Sequence, residues 1–117
     1  MKKLLIFILL FWVSAANAAT FTAVWCPVKG AYWYDICVET TVPTGGQCSG
    51  AYYQSAFQTT SYIFTIPNSA NVWLRVRAEN FIIDWTARSI ITVYGAYSNP
   101  VQVIGNLAPP IVSCGCP

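Results

Sequence analysis

The chain has 117 residues, 56% of them hydrophobic and only 9% charged, with a formal charge of +2 and no histidine. Lys2 and Lys3 supply that surplus: beyond residue 18, Lys29, Arg75, Arg77 and Arg88 are balanced by Asp35, Glu39, Glu79 and Asp84. A neutral chain lacks the basic excess that nucleic acid or an anionic membrane surface requires, and without histidine the commonest general base and metal ligand is missing.

Residues 1–18 have the layout of a secretory leader. Lys2 and Lys3 form its basic start, Leu4 to Val13 its apolar middle, and Ala16-Asn17-Ala18 a small-x-small cleavage site. The apolar run falls short of the roughly 20 residues that span a bilayer. No cysteine follows to take a lipid anchor. The expectation is cleavage after Ala18 and a secreted or periplasmic product without a membrane span. Residues 19–117 suit one domain.

Phe21, Ala23 and Trp25 alternate with Thr20, Thr22 and Val24, which predicts a first strand running into Cys26-Pro27. Val28-Lys29-Gly30 turns the chain. Tyr32 to Thr41 is rich in aromatic and β-branched residues and reads as the next strand. In it Tyr34, Ile36 and Val38 share one face, opposite Trp33, Asp35, Cys37 and Glu39. Pro43-Thr44-Gly45-Gly46 is a turn signal. Tyr52 to Phe57 reads as a short strand, and Thr60 to Ile66 as a longer one with Tyr62, Phe64 and Ile66 inward. After Pro67-Asn68-Ser69, the run Val72 to Asn80 places Val72, Leu74, Val76 and Ala78 on one side. Trp73, Arg75, Arg77 and Glu79 take the other. That period of two belongs to a half-buried strand. Ile90 to Tyr94 forms an extra strand, and Val101 with Val103 a last one behind Pro100. No helical stripe occurs beyond residue 18, so the class is all-β.

Two passages resemble the closing strands of a fibronectin type III domain. Val72-Trp73-Leu74-Arg75-Val76-Arg77-Ala78-Glu79-Asn80 is similar to that family's F strand, and Tyr97-Ser98-Asn99-Pro100-Val101-Gln102-Val103 to its G strand. The resemblance covers about Thr20 to Val103. It puts Trp25 at the core tryptophan of strand B, Tyr34 and Ile36 on strand C, and Ile66 at the aliphatic before strand F. It implies an immunoglobulin/fibronectin type III-like antiparallel β-sandwich over residues 19–105, with residues 106–117 as a separate tail. Three departures stand out. Val72 replaces the family's tyrosine, the F–G connection from Phe81 to Ala96 is about twice the usual length, and no sequence remains for strand A.

The tail, with Ala108-Pro109-Pro110-Ile111-Val112, resembles the way such a domain begins. It either returns to its own strand B as the missing first strand, or lends itself to a neighbouring copy by strand addition, or stays unstructured. Cys26, Cys37, Cys48, Cys114 and Cys116 fit an oxidising compartment. Cys37 and Cys48 flank the Pro43–Gly46 turn and suit a bridge across a hairpin. Cys26 then pairs with Cys114 or Cys116, and the odd count leaves one thiol over.

Catalysis has little to stand on. Asp35 and Glu39 lie on one face roughly 13 Å apart at about 3.3 Å per residue, beyond the reach of paired carboxylates. They read as solvated charges. No phosphate loop occurs, and no cofactor or metal is expected. The outward side of strands C and F carries Trp33, Trp73, Arg75 and Arg77, a composition suited to a binding hot spot or to stacking on sugar rings. The alternative is that the apolar F–G segment folds over it. The expected function is a secreted, non-enzymatic module for binding or adhesion to a protein or carbohydrate surface. The second reading is a structural subunit of an extracellular assembly, a surface filament or virion, whose copies are joined through the C-terminal strand or a cysteine.

Overall fold

Alternating side chains become eight strands in the computed structural model, which describes residues 17–117. The leader expected over residues 1–18 lies outside the described residues apart from Asn17 and Ala18. The strands are β1 (Ala18–Val24), β2 (Trp33–Glu39), β3 (Ala51–Gln54), β4 (Ser61–Pro67), β5 (Asn71–Asp84), β6 (Ser89–Tyr94), β7 (Val101–Ile104) and β8 (Ile111–Ser113). The helical content among the described residues is one 3-10 turn at Gly105–Leu107. No helix there is long and apolar enough to cross a membrane.

One sheet has the order β4-β1-β8. The other runs β3-β2-β5-β6, with β7 also on β5. The two sheets meet face to face, because each presents the apolar half of its alternation. Phe21 and Ala23 from β1, Phe64 and Ile66 from β4, and Val112 from β8 meet Tyr34, Ile36, Val72, Leu74, Val76 and Val103. Phe21 and Phe64 are register partners and stack at 5.5 Å. Trp25 is buried against Tyr34, ring centroids 5.5 Å apart, and the Tyr34 hydroxyl accepts the Val28 N–H at 2.7 Å. The class is therefore all-β, with the layering of a β-sandwich.

The expectation of antiparallel pairing fails at one seam. β8 lies beside β1 of its own chain, but parallel to it, with Thr22 opposite Ile111 and Val24 opposite Ser113. The reason is connectivity: a strand leading into β1 through a tight turn must oppose it, whereas β8 reaches it by a long crossover. Gly105 makes that crossover possible, since any Cβ there would collide with the Pro67 carbonyl. Gly115 supplies a second adjustment with φ +75°, which glycine adopts without strain. Cys114 follows Val112 into the core by alternation, and the turn at Gly115 brings Cys116 to its bond with Cys26. The other disulfide joins Cys37 to Cys48. Cys114 is free and buried, and burial pushes its thiol up to about 11.

β5 runs four residues past Asn80, where the alternation was expected to end. Phe81, Ile82 and Ile83 continue it because Thr92, Ile91 and Ile90 pair with them from β6. The long F–G connection is thus no loop. It is the same two strands prolonged, with Gly95 and Ser98 donating to the Ala78 and Val76 carbonyls as the return path reaches β7.

Candidate functional site

The charged side of β2 and β5 is the surface that sequence alone proposes for a partner. In the fold it is largely covered. Arg75 is 5% exposed. Its Nη2 donates to Glu39 Oε1 at 2.6 Å and to the Gln47 carbonyl at 3.0 Å, and its Nη1 donates to the Gly45 carbonyl at 2.6 Å. Arg77 Nε donates to Asp35 Oδ2 at 2.9 Å. Tyr94 and Tyr97 bring their rings over the Arg77 guanidinium, at 4.0 and 4.8 Å. Tyr97 also covers Arg75 at 4.6 Å. From β3, Tyr52 accepts a hydrogen bond from Arg77 Nη2 at 3.2 Å.

Two expectations are corrected by this. Arg75 is no surface anchor: its donors are consumed by Glu39 and by the turn carbonyls. Nor are Asp35 and Glu39 solvated, being 0% and 3% exposed. Buried carboxylates need partners, and the cross-strand register puts Arg77 directly opposite Asp35. Burial alone would raise the Glu39 carboxyl; the Ser49 and Arg75 hydrogen bonds outweigh it and hold the group below its ordinary value. Glu79 goes the other way, raised first by burial and then by neighbouring Asp35. Burial, with Asp35 again close, pushes Tyr52 up to about 12. The network is structural in character: it fastens the turn between β2 and β3 to the sheet, alongside the Cys37–Cys48 bridge.

Trp73 remains partly exposed, paired with Glu39 on one side and Gln102 on the other. Trp33 is also partly exposed, with Phe81 edge-on at 4.9 Å and Phe57 at 6.0 Å. Tyr32 joins this group at 5.9 Å from both Trp33 and Phe81. Trp33 therefore stands at the root of a different surface, one that the sequence reading did not single out.

That surface is the hairpin arm of β5 and β6 beyond Glu79. Ile82 and Ile91 are cross-strand partners on the side that faces the core further down, yet they are 54% and 48% exposed. On the opposite side the partners Ile83 and Ile90 are 52% and 70% exposed, and Trp85 at the tip is 80% exposed. Both faces are bare because the arm projects past the edge of the three-stranded sheet. Its tip is well made: Asp84 Oδ1 accepts the Thr86 and Ala87 N–H groups at 3.0 and 3.1 Å, and Arg88 closes the turn at φ +53°. Ile83, Trp85, Arg88, Ser89 and Ile90 line a shallow, mainly apolar cleft there. Its signal in the sequence was β-branched runs, Phe81 to Ile83 and Ile90 to Val93, on either side of a short Asp-initiated turn.

Comparison of the chain with protein-family models, with curated proteins and with solved structures finds no match.

Proposed function

We propose that the chain is a secreted, non-catalytic β-sandwich module of fibronectin type III-like build, and that it works by binding a protein or carbohydrate surface through the β5–β6 arm. The observation that carries this reading is the uncovered arm. Small soluble domains seldom leave a large apolar patch open unless something docks there. Trp85 has the area and rigidity of an interface anchor, and Arg88 beside it supplies directional donors.

The family reading draws support from the neighbour relations of the strands. β8-β1-β4 and β3-β2-β5-β7 are adjacent in the way that A-B-E and C′-C-F-G are in such sandwiches. The parallel direction of β8 departs from that plan. Two disulfides suit an oxidising compartment, as does the leader read over residues 1–18.

The test is retention of labelled protein on immobilised cell-surface polysaccharides and extracellular proteins. Wild type is expected to be held by at least one of them. Trp85→Ala together with Ile83→Ser is expected to lose that retention at unchanged melting temperature. If the double variant is retained as well as wild type, the site is elsewhere.

The assembly reading is favoured by a different observation, the bare edge of β6. Joining through the tail is disfavoured, because β8 and Cys116 are both engaged within their own chain.

A further inference from the structure

β6 is the last strand of its sheet, and its outer edge pairs with nothing among the described residues. The phase of its hydrogen bonds follows from one contact. Gly95 donates to the Ala78 carbonyl, so residues 95, 93, 91 and 89 point their main-chain groups at β5. Ile90, Thr92 and Tyr94 therefore point theirs outward. No lysine or proline blunts this edge, and no residue of Ser89–Tyr94 carries a charge. Such an edge is a ready template for another strand.

Ile82, Ile91 and Val93 on one face of the arm, Ile83, Ile90 and Tyr94 on the other, and Trp85 at its tip are 40–80% exposed, so a strand added at this edge would extend an apolar row on both faces. The charges of residues 19–117 cancel, so two copies approach without net repulsion.

We propose that β6 pairs antiparallel with β6 of a second copy, about a two-fold axis at Thr92. This rests on the reading of the arm as the binding surface and names its partner. A two-fold axis normal to the sheet keeps each side chain on its own face, so residues opposite one another must have the same parity. Of the centres this allows along β6, only Thr92 pairs all three outward residues with one another. Thr92 then faces Thr92, and Ile90 faces Tyr94 of the second copy, with about six main-chain hydrogen bonds across the seam. Ile91 falls opposite Val93 of the second copy on the other face. A centre at Ile91 places Tyr94 against Arg88, and one at Val93 places Ile90 against Ala96, both beyond β6, so each leaves outward main-chain groups unpaired.

Sedimentation velocity on protein recovered from a secreting host, from micromolar to millimolar concentration, tests this. Wild type is expected to pass from monomer to dimer. Thr92→Pro removes an outward N–H that β5 does not use, and Thr92→Lys places a charge on the axis. Each is expected to weaken dimerisation at least tenfold while far-ultraviolet circular dichroism stays unchanged. Ile63→Lys, an exposed site on the other sheet, is expected to leave it intact. If Thr92→Pro fails to fold, Thr92→Lys decides. A wild type that stays monomeric throughout overturns the proposal, as does a Thr92→Lys variant that dimerises normally. So does a monomer whose Trp85 fluorescence shifts to the blue on phosphatidylcholine vesicles, since that assigns the arm to a lipid surface. Should the Trp85 variant still lose retention on the immobilised surfaces, only self-pairing fails and the arm keeps its role.

Discussion

Arg75 and Arg77 show how far a residue's position in a strand constrains its use. Alternation puts both on the non-core side of β5, which is where exposed charges usually go. The register then brings Asp35 directly opposite Arg77, and sets Glu39 diagonal to Arg75. Once Tyr97 and the Gly45–Gln47 turn close over them, pairing is obligatory. Arg75→Ala would leave Glu39 charged and almost fully enclosed, so it is expected to cost about 3–5 kcal/mol, read as a lower denaturant midpoint. Removing both partners in Arg75→Met/Glu39→Leu should recover much of that loss. If the single variant is as stable as wild type, the pair is not an enclosed bridge.

Glu79 gives the same network a pH dependence. Its carboxyl is raised above the ordinary value of 4.5, so its neutral form is favoured by folding. That contribution is complete below pH 4.5 and is lost as pH rises through the raised value. Glu39 is lowered, so its contribution holds above the same ordinary value and is lost on acidification through the lowered one. Glu79→Gln cannot ionise. Its melting temperature relative to wild type is expected to rise steadily from acid to neutral pH; a difference independent of pH would contradict the raised value.

Among the elements, β8 has an importance out of proportion to its three residues. It covers the open edge of β1, brings Val112 and Cys114 into the core, and is fastened by the Cys26–Cys116 bridge across a sequence separation of 90. Closing a loop of about 90 residues is worth roughly 4–5 kcal/mol in the chain-entropy account. Truncation after Gly105 is therefore expected to lower the melting temperature substantially and to promote aggregation through the exposed β1 edge. Equal stability and equal solubility of the truncated protein would show that the tail adds nothing. The arm differs in kind from β8. Its pairing is local, closed by a turn built around Asp84, so it keeps its form without contributing to the core.

For the molecule as a whole, the local pattern was enough for the all-β class and for which side of each strand faces inward. Phe21, Trp25, Tyr34, Ile36, Leu74 and Val76 were legible as core because a period of two has only two outcomes. Cys37 and Cys48 were legible for a related reason: eleven residues apart about one turn, they can hardly avoid each other. Other features depend on how the sheets are cut and joined, which no run of residues encodes by itself. Alternation names the side opposite the core but not whether anything lies over it, so buried Asp35 and Glu39 looked like solvated charges. Alternation was not carried past Asn80, and continuing it would have set Ile82 and Ile91 inward, where the opposing sheet ends before reaching them. The direction of β8, and with it the choice of Cys116 over Cys114, follows from where the crossover delivers the chain. Periodicity is a property of neighbours along the backbone, whereas coverage, edges and strand direction belong to segments that meet only after folding.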